Sequence, residues 1–379
     1  EDGRWAVVTE RVLGAPSLLE TCQGMGPAQQ GDVLFALAGR ELARLHERGV
    51  LQRDFHPGNF LVKGDRLIVL DPGQIHFSSR PIGRAASLRQ LAQLACILTP
   101  EDRPEAIELI CSRYAESRRW RWGPTENDLF WRFLRRDRRK DIRKIAKRPL
   151  YKGRTHIRMG TRDNWAVAEK DFYGMGDFAE LVEGLDGLMD SGRVRERDDG
   201  AFVSRFDWAQ QAIEAMRFDE TGFLQTLRGR LFGGSGRRRW VAGRRLACLR
   251  IAATMPLALI EKRHGILRRH SYVLTKCVEG STLNNFLCDG SIPVEKKGRT
   301  VQQVVAALDR LAKYGMTWDG CEMIGILVVG DRPVFLVPDD VVIHVLYAQC
   351  RRRYRNQRNR FIQSLRALGS VRGQVGGFI

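Results

Sequence analysis

The chain lacks the signatures of several common protein classes. Its eight cysteines are scattered at positions 22, 96, 111, 248, 277, 288, 321 and 350, with no CxxC pair and no Cys/His grouping at metal-ligand spacing. That excludes a zinc module and reads as core usage in a reducing compartment rather than in a secreted chain. No run of about 18 apolar residues occurs. The best stretch, residues 246–260, is broken by Arg250, so no transmembrane helix is expected. RRM and helix-turn-helix patterns are also missing. The chain opens Glu1-Asp2-Gly3 without Met and runs at once into Trp5-Ala6-Val7-Val8. Its natural start is therefore expected upstream, and any signal peptide would lie outside it.

What is present is a folded, basic chain. Its 379 residues, 43% hydrophobic and 8% aromatic, exclude wholesale disorder, a collagen-like repeat and a disulfide-stapled miniprotein, and favour two domains over one. Lys and Arg number 63 against 44 Asp and Glu, leaving +19. That excess favours an anionic partner such as nucleic acid, phospholipid, lipid-linked phosphate or nucleotide. It is concentrated in two runs. Between Arg132 and Arg148 lie ten basic residues and two Asp, and between Arg351 and Arg360 lie six Arg and no acid.

Periodicity gives a coarse map. Residues 5–12 read as a strand, broken by Gly14-Ala15-Pro16-Ser17. Leu34, Leu37, Ala38, Leu42 and Leu45 recur at helical spacing until Gly49. Two short strands, 59–63 and 66–70, flank Gly64-Asp65, and helices follow at 84–98 and 105–114. Residues 131–148 predict a basic helix ended by Pro149, with Trp131, Leu134, Ile142 and Ile145 as its apolar stripe. Beyond it come a hairpin at 155–172, a helix at 178–189, strands at 195–218, an Arg-rich helix at 237–251 and a hairpin at 257–277.

One register recurs without gaps at an offset of 266 residues. Thr9 falls on Thr275, Val12 on Val278, Gly14 on Gly280, Leu42-x-Arg44-Leu45 on Leu308-x-Arg310-Leu311, and Gly49 on Gly315. Leu61-Val62 falls on Leu327-Val328, and Gly64-Asp65-Arg66 on Gly330-Asp331-Arg332. Strand, helix, turn and hairpin recurring in step predict two copies of one fold.

The chemistry-bearing segment is Gln52-Arg53-Asp54-Phe55-His56-Pro57-Gly58-Asn59, followed by Leu70-Asp71-Pro72-Gly73. Phosphoryl transfer needs a carboxylate to take or orient the acceptor hydroxyl's proton, and oxygen ligands to hold Mg²⁺ on nucleotide phosphates. Asp54 on a loop, Asn59 five residues on and Asp71 closing the next hairpin can meet at one point. This is the R-D-x-x-x-x-N plus D-x-G pattern of a protein-kinase-like catalytic loop. His46 and His56 read as packed or capping residues.

In these residues the chain resembles the bacterial lipopolysaccharide-core kinase family, protein-kinase-like enzymes that phosphorylate heptose or Kdo sugars. The likeness covers residues 5–121 and resumes over 195–340. It implies an α+β, protein-kinase-like fold and ATP-dependent phosphorylation of a hydroxyl on a sugar or glycolipid acceptor. Asp54 would be the base, Asn59 and Asp71 the Mg²⁺ ligands, and Thr9, Glu10, Arg11 and Val12 the interlobe hinge that meets adenine. Gln52 stands where the family commonly has His.

The expected layout is a helical C-lobe at 1–150 whose front lobe is missing, a connecting hairpin and helix at 151–194, and a two-lobed degenerate copy at 195–379 divided near 280. The front lobe's glycine-rich loop and phosphate-binding Lys would precede Glu1, so the chain as it stands is expected to be inactive. In the second copy Asp54 becomes Gly320, Asn59 becomes Gly325 and Asp71 becomes Val337, while Met216 sits where a strand Lys is expected. Slips of one or two residues would bring up Asp319 and Asp339 or Asp340. Lys170 mimics a strand Lys but lies ahead of that block. A pseudokinase is the reading for this copy. An inactive scaffold, or a basic membrane or nucleic-acid adaptor, stays open beside it. An anionic membrane is favoured over nucleic acid as the partner of the two basic runs, and a cytoplasmic place, peripheral on the inner face of the cytoplasmic membrane, is expected.

Overall fold

The computed structural model describes residues 12, 14–23, 28–98, 104–151, 153, 155–161, 163–191, 195–196, 201–219, 234–264, 267–318, 323–336 and 341–367. Thr9, Glu10 and Arg11 of the expected hinge lie outside them, as do Asp319, Gly320, Val337, Asp339 and Asp340. The protein is a mixed α+β chain with antiparallel sheets. It divides into two compact units, residues 1–138 and 139–379.

Unit 1 begins with α1 (Leu18–Gln23), capped by a reciprocal pair. Ser17 Oγ accepts from the Glu20 backbone at 3.1 Å, and Glu20 Oε2 accepts from the Ser17 backbone at 2.8 Å. In α2 (Ala28–Glu47) the apolar spacing buries Leu34, Phe35, Ala38 and Leu42. Gly39 lets this helix approach closely, since a Cβ there would stand 2.5 Å from the Ile110 carbonyl oxygen. Gly49 stops it with φ 74°.

Then come β1 (Val50–Gln52), a 3-10 turn (Pro57–Asn59), β2 (Phe60–Lys63), β3 (Arg66–Val69), a second 3-10 turn (Pro72–Gln74) and β4 (Ile75–Phe77). β1 pairs with β4 and β2 with β3, both antiparallel. Helices α3 (Arg84–Leu98) and α4 (Pro104–Ser117) complete the core with Leu91, Leu94, Ile107 and Ile110.

Helix α5 (Pro124–Tyr151) departs from expectation in two ways. It passes through Pro149, which removes the N–H that would bond the Ile145 carbonyl, and the helix ends two residues later at Tyr151. Its buried stripe is Phe130, Leu134, Ile142, Ala146 and Leu150, at steps of four or eight, whereas Ile145 is 51% exposed. The unit boundary at 138/139 also precedes the expected 150. The physical reason is that Ala146 and Leu150 belong to the apolar cluster of unit 2.

Unit 2 contains β5 (His156–Gly160), β6 (Asn164–Glu169), α6 (Lys170–Tyr173), α7 (Phe178–Ser191), β7 (Arg195–Glu196), β8 (Ala201–Trp208), β9 (Gln211–Asp219), α8 (Ser235–Cys248), β10 (Pro256–His264) and β11 (Leu267–Lys276). Its strands form one antiparallel sheet in the order β5-β6-β10-β11-β9-β8-β7. The hairpin expected as a connector at 151–194 is therefore part of this sheet, joined through β6 to β10. Alternation along the strands buries both faces. Ala168, Ala215, Ile260 and Tyr272 lie under Leu181 and Leu185 of α7, while Val167, Met216, Leu259 and Val273 meet Trp240 of α8. Lys170 is exposed at the end of β6.

The remainder is β12 (Ser281–Thr282), α9 (Leu283–Cys288), α10 (Val294–Lys313), β13 (Met316–Trp318), a 3-10 turn (Met323–Gly325), β14 (Ile326–Val329), β15 (Arg332–Phe335), β16 (Val341–Ile343) and α11 (Tyr347–Ala367). From α10 to β16 every element has the bounds of α2 to β4 displaced by the same 266 residues. The glycines that follow the long helices, Gly49 and Gly315, share φ 74° and 75°. Backbone bonds recur in step too. Ser78 N donates to Gly49 O at 2.8 Å and His344 N to Gly315 O at 2.9 Å; Leu70 N donates to Asn59 O at 2.7 Å and Leu336 N to Gly325 O at 2.9 Å.

Candidate active site

The loop between β1 and β2 carries Asp54 and Asn59, and the end of β3 carries Asp71. Register on the hairpin pairs Phe60 with Val69, and the Leu70-to-Asn59 backbone bond extends that pairing by one step. Asn59 and Asp71 therefore issue from the same end of one hairpin. Asn59 Nδ2 also donates to the Asp54 carbonyl at 2.9 Å, which ties the start of the loop to its end. His56 caps the 3-10 turn by accepting from Gly58 N at 3.0 Å, a capping role as the sequence indicated. Asp71 holds φ 58°, a left-handed conformation that costs a non-glycine residue about 1 kcal/mol or more and is kept where surrounding structure enforces it. Its strained backbone is fixed by Gln74 N donating to Asp71 O at 3.1 Å and by Arg53 N donating to Gln74 O at 2.8 Å.

Beneath this loop runs a buried relay of neutral hydrogen bonds. Gln52 Nε2 donates to the Leu70 carbonyl at 3.1 Å, next to Asp71. Gln90 Nε2 of α3 donates to the Gln52 carbonyl, two residues before Asp54. The Gln90 oxygen is thus left to accept from His46 Nε2 at 2.9 Å. His46 Nδ1, lacking a proton in that tautomer, accepts from the Tyr114 hydroxyl at 2.7 Å. His46 and Tyr114 are fully buried, and Gln52 and Gln90 nearly so.

Burial is the main cause that lowers His46 from 6.5 to about 4, with the bond to Gln90 opposing and nearby Arg118 assisting. Burial likewise pushes the Tyr114 phenol up to about 12. The relay grips the main chain one residue before Asp71 and two before Asp54, and its direction requires a neutral imidazole. Sequence reading placed His46 as a packed residue but passed over Gln90 and Tyr114. The one signal for Gln90 was a polar side chain inside the apolar run of α3.

The donor set suits a hard cation. Asn59 offers an amide oxygen and Asp71 a carboxylate, the ligand type and low count by which proteins hold Mg²⁺ together with phosphate and water. Among the described residues, no three His, Cys, Asp or Glu side chains gather as a metal site. Val12, the one described residue of the expected hinge, is half-buried and outside regular structure.

In unit 2 the scaffold persists with other side chains. Gln357 Nε2 donates to the Trp318 carbonyl at 2.6 Å, an amide-to-carbonyl bond like that of Gln90 on Gln52 but from one residue beyond the 266-residue register, which puts Asn356 on Gln90. Gly325 replaces Asn59 and offers no side-chain oxygen. Met216 is buried on β9, and Arg239 of α8, itself 1% exposed, reaches its sulfur.

No family model matches the chain, and no curated protein matches it. A solved structure of WaaP in complex with acyl carrier protein is similar over 47% of this chain and 73% of its own, at 19% identity and a TM-score of 0.36. Among the described residues, no helix is long and apolar enough to cross a membrane.

Proposed function

We propose that the chain carries the catalytic loop of an ATP-dependent phosphotransferase of the lipopolysaccharide-kinase-like type, acting on a hydroxyl of a sugar or glycolipid, followed by a degenerate second copy of the same fold. The observation that supports this reading is that Asn59 and Asp71 issue from one end of the β2-β3 hairpin while Asn59 holds the backbone carbonyl of Asp54, above a buried chain of hydrogen bonds reaching the carbonyls of Gln52 and Leu70. Asp54, exposed on its loop, would take the proton of an incoming hydroxyl. Asn59 and Asp71 would hold Mg²⁺, which when bound would neutralise charge on the nucleotide phosphates. The backbone bonds at Asp71 and Asn59 keep these groups oriented without reorganisation, the condition under which positioning lowers a barrier.

The equal element bounds at an offset of 266 residues support reading two copies. Gly325 and Met216 support reading the second as a pseudokinase. Substituting Asp54→Ala in the full-length protein is expected to lower ATP-dependent phosphoryl transfer by roughly 10²- to 10⁴-fold, the usual worth of a positioned base. Thermal melting should be unchanged. Turnover equal to the unsubstituted protein would overturn the assignment.

A further inference from the structure

We propose that unit 2 carries a docking surface for anionic lipid bilayers, made of the apolar pair Val345-Leu346 and the arginine face of α11. The inference is independent of the catalytic reading, because it uses no residue of the Asp54 site. Val345 and Leu346 are 79% and 67% exposed, side by side on the turn that enters α11. The turn is held firmly. Arg139 Nη1 donates to the carbonyls of His344 at 2.7 Å and Val345 at 3.3 Å, and buried His344 bonds Thr317 Oγ1 at 2.7 Å. A pinned pair of large apolar side chains facing water has no role in the unit's own core.

The helix that follows has seven Arg and no Asp or Glu from Tyr347 to Ala367. Its inner face buries Cys350, Gln357, Phe361 and Leu365. At 100° per residue, Arg352, Arg355 and Arg366 stand opposite that stripe, with Arg351 and Arg360 on its flanks, all five exposed. Comparison within the chain shows that the fold does not demand this surface. At the same offset, Ser79 and Arg80 stand where Val345 and Leu346 do, and α3 has two Arg where α11 has six. An exposed apolar pair at the start of an arginine-rich helix suits the boundary between headgroups and acyl chains, where the first enter the interface and the second meet phosphate.

The test is cosedimentation of the full chain with phosphatidylcholine vesicles, with and without phosphatidylglycerol, across a salt series. Single-stranded and duplex oligonucleotides serve as competing probes. Binding is expected only when phosphatidylglycerol is present, and it should weaken as salt rises. Arg352→Ala with Arg355→Ala should lower vesicle affinity at least about tenfold. Val345→Ser with Leu346→Ser should lower vesicle affinity about tenfold at unchanged charge, and leave any oligonucleotide binding as it was. The four side chains are exposed, so both variants should melt like the parent. Vesicle binding indifferent to the serine pair, or binding to oligonucleotides without binding to vesicles, would overturn the proposal.

Discussion

Acidification should loosen unit 1 through His46. The unfolded chain takes up a proton near 6.5 at this residue, whereas the buried ring does so only near 4. Between those values the unfolded state binds more protons, so stability is full above 6.5, falls as pH drops through that value and levels off near 4. Each pH unit in the window is worth about 1.4 kcal/mol, so pH 5 should cost about 2 kcal/mol relative to pH 7, near a thirtyfold rise in the open population. The relay gives the cost a location, because a protonated Nδ1 can no longer accept from Tyr114.

Another histidine, His156 in unit 2, is also lowered to about 4, mainly by burial and then by Arg244. A global melt would therefore mix the two. Hydrogen exchange of peptides covering α2 and β1, corrected for intrinsic rates, reads unit 1 alone. The parent chain should lose protection about thirtyfold between pH 7 and pH 5, and His46→Gln should show no such drop, whatever its absolute stability. Equal protection at both pH values in the parent, or the same drop in the variant, would refute the buried neutral imidazole.

Two further outcomes rest on the backbone. Asp71→Gly should raise the denaturant midpoint, since glycine relieves φ 58° for about 1 kcal/mol, while Mg²⁺-dependent ATP binding by the full-length protein, measured by calorimetry, is lost. Gly49→Ala and Gly315→Ala share one left-handed position but not one cost. A Cβ at 49 would meet the Ser78 backbone oxygen at 2.1 Å, while one at 315 meets the side chain of Arg139 at 3.2 Å, which needs to give by only a few tenths of an ångström. Thermal melts should show a loss of about 3 kcal/mol or more for the first and about 1 kcal/mol for the second.

Local chemistry was legible in the sequence and long-range pairing was not. The bounds of α3 followed from apolar spacing, and the β2-β3 hairpin from Gly64-Asp65 between two apolar runs, because such signals lie within a few residues of what they specify. The repeat was legible for the same reason, its glycines marking each turn. Pairing of β6 with β10 joins residues 90 to 98 positions apart, and no local pattern announces it. The bond from His46 to Tyr114 spans 68 residues and that from Gln90 to Gln52 spans 38. In α5 the four-residue ridge selected Ala146 rather than the more apolar Ile145, since partner geometry decides which side of a helix is covered.

The glutamine clamps on β1 and β13 both grip a main-chain oxygen, that of Gln52 in one unit and of Trp318 in the other. A grip of that kind is blind to the side chain of the residue it holds. Mutational drift at 52 and 318 can therefore proceed from an amide to an indole with the strand still anchored. The same blindness leaves the side chain at each of these positions free to take up a different chemistry while its strand stays held.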